Sequence, residues 1–197
     1  SHIAVHNGVN IKGILVGVAE LCRTVDTPII LVGDFNPLLV YGLERFLRDA
    51  RKAGVDGLIS PDLPVDEAGE YRKAATANDI STVFLVSPAS APARVKQIDK
   101  SSTDFVYAVT VTGVTGAGKV FGAATDTYLK SLKTVLDKPF VAGFGVSTPE
   151  SARRMACFAD GVVIGSALVE VIRRAESKAE AVRAVERFLK EIRRALT

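Results

Sequence analysis

Two short glycine clusters, Gly143-Phe144-Gly145-Val146-Ser147 and Gly165-Ser166, each close a run of apolar and β-branched residues. Glycines let main-chain N–H groups approach a ligand closely, and a helix starting just beyond Gly165-Ser166 adds unpaired donors and positive potential. That combination suits a phosphate dianion, with Ser166 either capping the helix or donating its hydroxyl to a phosphate oxygen. Tight turns alone would also use such glycines. A third cluster, residues 112–119, holds Gly113, Gly116, Gly118 and Lys119 and reads as a lid loop. A nucleotide P-loop is excluded there, because Val120 stands where a magnesium-binding hydroxyl is required. Asp34 and Asp62 sit at strand ends and are the carboxylates within the chain that are placed to move protons; Asp62, held between Pro61 and Pro64, equally suits ordering of its loop. His2 and His6 lie one helical turn apart, but no acidic or thiol ligand accompanies them, so no metal site is expected. Tyr107 reads equally as a pocket wall or a core aromatic.

The elements that must position these residues alternate along the chain. Helical periodicity covers residues 11–25, 41–53, 65–77, 91–100, 126–136, 149–157, 167–174 and 178–195. Six strands are predicted at 28–32, 57–60, 81–86, 105–110, 140–144 and 161–165. Runs such as Ile29-Ile30-Leu31-Val32 are apolar on both faces, as in a parallel sheet buried beneath helices. No linker divides the pattern, so residues 1–197 are expected to form a single α/β domain. Six units in 197 residues give about 33 residues each, whereas a closed (β/α)8 barrel typically takes ~250. The difference amounts to about two units. An open doubly wound sheet would fit the count as well; glycine loops after the last two strands favour the barrel, whose phosphate sites lie there.

Composition removes several other classes. The formal charge is +3, from 25 Lys+Arg against 22 Asp+Glu, and the excess lies in the C-terminal helix. There Val185, Phe188, Leu189, Ile192 and Leu196 recur at helical spacing between charges, and Glu186–Lys190 form an i,i+4 pair. This is a solvated amphipathic helix, not a basic and aromatic nucleic-acid surface. No stretch reaches the ~18 apolar residues of a membrane span, and no secretory leader is recognised. Two cysteines, Cys22 and Cys157, far apart, fit reduced thiols and a cytoplasmic location. The first residue is Ser1, so a processed start or a longer chain is expected.

The motifs in order are distinctive. Pro28-Ile29-Ile30-Leu31-Val32-Gly33 leads to Asn36-Pro37; Gly54-Val55-Asp56-Gly57-Leu58-Ile59-Ser60-Pro61-Asp62-Leu63-Pro64 follows; then come residues 112–116, 143–147 and 161–167. Over essentially its whole length the chain resembles the tryptophan synthase α subunit family. The resemblance implies a (β/α)8 TIM barrel of which strands 3–8 are present, the first two βα units being absent. It implies retro-aldol cleavage of indole-3-glycerol phosphate to indole and glyceraldehyde 3-phosphate, with Gly116, Gly145, Gly165 and Ser166 on the phosphate and Tyr107 and Phe144 against the indole. The family needs no cofactor of its own and docks on a β subunit that carries pyridoxal phosphate. Its two catalytic carboxylates correspond to positions upstream of Ser1, so these residues alone are expected to be inactive. Asp34-Phe35 replaces a frequent aromatic pair, and Val111 a frequent Arg. Unclosed sheet edges would favour self-association. Two other readings remain open: a non-catalytic remnant that binds phosphate or a β subunit, and another phosphate-binding barrel enzyme such as a sugar-phosphate isomerase.

Overall fold

The computed structural model describes His6 and residues 8–110, 122–143 and 145–197. Two compact units emerge, one built from residues up to Phe84 together with 100–104, the other from 85–99 and residues from 105 onward.

In the first unit, β1 (Ile30–Val32), β2 (Gly57–Ile59) and β3 (Ser81–Thr82) form a parallel sheet in that order. Register pairs Ile30 with Gly57 and Gly57 with Ser81. The central strand is buried throughout, as its uniformly apolar sequence requires, whereas Val32 on the edge strand is 64% exposed. The expectation of burial on both faces therefore fails at β1, an edge strand whose residues are half-buried or exposed. Around the sheet stand α1 (Ile11–Leu21), α2 (Phe35–Tyr41), α3 (Leu43–Ala53) and α4 (Gly69–Ala77). The helix expected over 41–53 is α3, which starts two residues later, and a further helix, α2, precedes it and ends at Gly42, whose φ is +93°. Pro37 sits in the first turn of α2, where its missing N–H disturbs no intrahelical bond.

The second unit holds β4 (Leu85–Val86), β5 (Val106–Val109), β6 (Phe140–Gly143) and β7 (Gly161–Val162), again parallel and in chain order. Its helices are α5 (Pro92–Ser101, whose last two residues belong to the first unit), α6 (Ala123–Lys133), α7 (Pro149–Ala156), α8 (Ser166–Arg174) and α9 (Lys178–Leu196). A reciprocal Thr148/Ser151 capping box with Pro149 at the first position starts α7, worth about 1 kcal/mol. Arg154 of that helix grips Asp126 of α6 through both carboxylate oxygens, at 3.3 and 2.8 Å. The Glu186–Lys190 pair forms, at 2.5 Å. Along α9 the buried residues are Ile192 and Ala195, while Leu189 and Leu196 are exposed, contrary to the apolar face read from the sequence.

Seven strands are present among the described residues rather than six, because the run 81–86 divides. The ladder to β2 runs on to Val83, whose N–H donates to Leu58 O at 3.1 Å, while on the other side Thr82 N–H donates to Thr103 Oγ1 and Phe84 N–H to Ser102 Oγ, each at 3.1 Å. The strand entries share one device. Asp56, just before β2, accepts the Ile29 N–H at 2.8 Å, and Asp160, just before β7, accepts the Phe140 N–H at 2.9 Å. Each aspartate also gives its own N–H to the carbonyl of the same residue, at 2.8 and 3.0 Å. These two-bond clamps fix neighbouring strands in register at their N-terminal ends. The opposite ends are left for ligands, as parallel α/β sheets generally do.

Candidate functional site

Since β5, β6 and β7 run parallel, Thr110, Gly143, Gly145 and residues 163–166 emerge at the same end of one sheet. The ends are tied together. Thr110 Oγ1 donates to Gly143 O at 2.7 Å, and Val163 N–H donates to Ala142 O at 2.8 Å. β5 alternates buried and half-buried residues: Val106 and Ala108 pack inward, while Tyr107 and Val109 occupy the more open face. On that face the Tyr107 ring lies against Gly143 so closely that a Cβ there would collide with its hydroxyl and ring edge. Partial burial raises the Tyr107 phenol above its ordinary value, so it stays a neutral group near neutral pH.

Gly145 is exposed, with φ of +94°, a conformation that L side chains resist. Gly165 is the N-cap of α8 and Ser166 its first residue; both are exposed. The expectation that Ser166 caps the helix is corrected here. Gly165 occupies the cap position, and among the described residues no side chain supplies the capping bond at the first turn of this nine-residue helix. Gly145 and Gly165–Ser166 thus follow adjacent strands, with main-chain donors and one hydroxyl on the same rim. Gly116, Phe144, Lys119, Val111, His2 and the lid reading of residues 112–119 lie outside the described residues.

Asp34 and Asp62 both fall in the first unit, at the C-terminal ends of β1 and β2. Asp62 is engaged: its Oδ1 and Oδ2 accept the Phe35 N–H at 2.9 and 3.0 Å. It therefore holds the start of α2, the loop-ordering alternative, and Phe35 in turn sets its ring edge-on to Tyr71 at 5.6 Å. Asp34 is the N-cap residue of α2 and makes no side-chain cap bond. Ser60, two residues before Asp62, buries a hydroxyl that has no partner among the described residues. Among the described residues, no three His, Cys, Asp or Glu gather as a metal site requires. Both cysteines are free thiols, and no described helix is long and apolar enough to cross a membrane.

Two concavities among the described residues lie elsewhere. One, of about 350 Å³, is lined by residues 136–140 and Asp160, at the N-terminal ends of β6 and β7. The other, about 690 Å³, runs between α3 and α4 past Arg45, Arg48, Glu70 and Lys73. Neither touches a glycine of the rim. Thr110 is the rim residue that the sequence reading missed; its only signal there is a hydroxyl residue placed between a strand and a glycine-rich loop.

Comparison with known proteins gives the geometry a context. A family model described as tryptophan synthase alpha chain matches residues 1–197. The tryptophan synthase alpha chain of Pelodictyon phaeoclathratiforme is 42% identical over 202 residues, covering 98% of this chain and 76% of that protein. That of Geobacter sulfurreducens is 39% identical over 196 residues, covering 100% and 74%. Among solved structures, a chain from the tryptophan synthase a2b2 complex of Pyrococcus furiosus superposes with a TM-score of 0.87 at 36% identity, covering 96% of this chain and 76% of its own. The alpha chain of Legionella pneumophila gives 0.84 at 32% identity, covering 98% and 72%. At such identity over nearly all of its residues, the chain belongs to the tryptophan synthase alpha chain family, TIM-barrel lyases of amino-acid biosynthesis.

Proposed function

We propose that these 197 residues form the phosphate-holding part of an indole-3-glycerol phosphate lyase: strands 3–8 of a (β/α)8 barrel, one domain, acting in the cytoplasm. The observation that carries this reading is the placement of Gly145 and Gly165–Ser166 beyond adjacent parallel strands, with a helix N-terminus in the second loop. The phosphate is held by main-chain N–H groups of Gly145, Gly165 and Gly116 and by the Ser166 hydroxyl. Tyr107 and Phe144 form the wall against the indole. Asp62, whose two oxygens already serve the Phe35 N–H, is a loop-ordering group and not a proton shuttle.

Retro-aldol cleavage needs a base for the glycerol hydroxyl proton and an acid for the ring carbon. Asp62 is committed to the Phe35 N–H and the resemblance assigns neither role to Asp34, so these residues bind substrate without cleaving it. Its protein partner is a tryptophan synthase β subunit, which carries the pyridoxal phosphate. The outer sides of β1 and β7, unpaired among the described residues, favour self-association of the chain in isolation. Calorimetry with indole-3-glycerol phosphate, followed by an indole assay on the same sample, tests this reading. Saturable binding with indole release no faster than a protein-free control is expected. Turnover above that control would refute the inactivity and return attention to Asp34 and Asp62; absence of binding would refute the phosphate site.

A further inference from the structure

We infer that Thr110 is a positioning residue of the phosphate rim, acting through the carbonyl of Gly143; this rests on the phosphate reading just given. Thr110 follows β5 directly and is 5% exposed. Its N–H reaches Gly143 O at 3.3 Å, continuing the ladder beyond the Val109–Gly143 pair. Its hydroxyl adds a second bond to the same oxygen, shorter at 2.7 Å. The neighbouring carbonyl, Ala142 O, is taken by Val163 N–H at 2.8 Å, from the strand that leads to Gly165. Two consecutive carbonyls at the end of β6 are therefore bound in opposite directions, one toward each flanking strand.

Gly143 is also confined at its Cα, where the Tyr107 ring fills the space of a side chain. Only two residues later comes Gly145, at φ of +94°. A glycine-rich turn loses more conformational freedom than any other when ordered. An anion site made of main-chain donors works only where those donors are aimed before the ligand arrives. The Thr110 hydroxyl supplies that aim by fixing the peptide from which the turn departs. It touches no phosphate itself.

The isosteric T110V keeps shape and burial and removes the hydroxyl, while T110S keeps the hydroxyl. The unmodified chain, T110V and T110S are titrated with glycerol 3-phosphate by calorimetry, and each is melted without ligand. T110V is expected to bind five- to ten-fold more weakly, the loss of about one buried hydrogen bond, and T110S to bind within about two-fold of the unmodified chain. A purely structural role would lower the Tm of T110V and leave its affinity unchanged, which would overturn the inference. T110S binding as weakly as T110V would overturn it too, since the hydroxyl would not be the acting group. If the unmodified chain fails to bind glycerol 3-phosphate, the phosphate reading itself falls, and the inference with it.

Discussion

Replacing Gly143 with alanine places one methyl group where the Tyr107 ring now lies. The new Cβ would meet Cζ at 2.6 Å and Cε1 at 2.8 Å, with the hydroxyl oxygen closer still. Because two ring atoms and the hydroxyl of one rigid side chain are involved, no small shift of the ring tip relieves the contact, and the whole ring must swing. Gly143 does not have a positive φ. Alanine at such a position would ordinarily stabilise by about 0.4–1 kcal/mol through the unfolded chain. Overpacking costs about 1–3 kcal/mol, so the net expectation for G143A is a loss of about 1–2 kcal/mol. In a chain of this size that lowers Tm by roughly 2–8 °C. A double-mutant cycle with Y107L, followed by urea melts, isolates the contact. Y107L should recover at least about 1 kcal/mol in the G143A background relative to its effect alone. Additive effects within about 0.5 kcal/mol, or a G143A chain as stable as its parent, would refute the close packing of this rim.

Asp99 is buried at 3% exposure and accepts two main-chain donors, Asp137 N–H at 3.2 Å and Lys138 N–H at 3.1 Å. An asparagine can satisfy only one of them with its oxygen and sets its amide against the other. D99N should therefore cost about 1–3 kcal/mol in urea unfolding, and a loss below about 0.5 kcal/mol would contradict that role. Glu170 on α8 is pulled down to about 2, first by hydrogen bonds from Arg173 and then by those from Arg174. A depressed carboxyl contributes stability above its unfolded value of 4.5, and that contribution fades as pH falls from about 4.5 toward 2. The cluster lies at the surface, where salt screens it, so the effect is small. Carboxyl NMR titration in low salt should give a midpoint near 2, and E170Q should flatten the acid side of the stability profile; a midpoint at the ordinary glutamate value would contradict the contact.

What the sequence makes legible here is local. Gly57–Ile59 reads as a buried strand and is one, because every side chain is apolar whichever face it takes. The glycine rim is legible for the same reason, since each cluster directly follows its strand. The misses are non-local. The run 81–86 has the pattern of one strand, yet β3 and β4 belong to different sheets, and the Thr82 and Phe84 N–H groups go to the hydroxyls of Thr103 and Ser102, about twenty residues later in the chain. No helix is predicted over residues 35–41, yet the prolyl ring fits the opening of α2, whose start is held by the Asp62 carboxylate from another strand end. Leu189 and Leu196 share helical spacing with Ile192 but not its orientation, so periodicity alone places them on the wrong side. The bond from Thr110 to Gly143 joins residues 33 apart and depends on strand register, which composition and spacing do not encode.

The central claim is that Gly145, Gly165 and Ser166 form one anion site at the C-terminal ends of β6 and β7. Amide-resolved NMR of the 197-residue chain, titrated with glyceraldehyde 3-phosphate, tests it most directly. The account expects the largest shifts at the Gly145, Gly165 and Ser166 N–H groups, saturating together with a single affinity, while residues 136–140, at the opposite end of the sheet, stay unmoved. Shifts centred on residues 136–140, or on the Arg45–Arg48 groove, with the three rim amides unchanged, would contradict it.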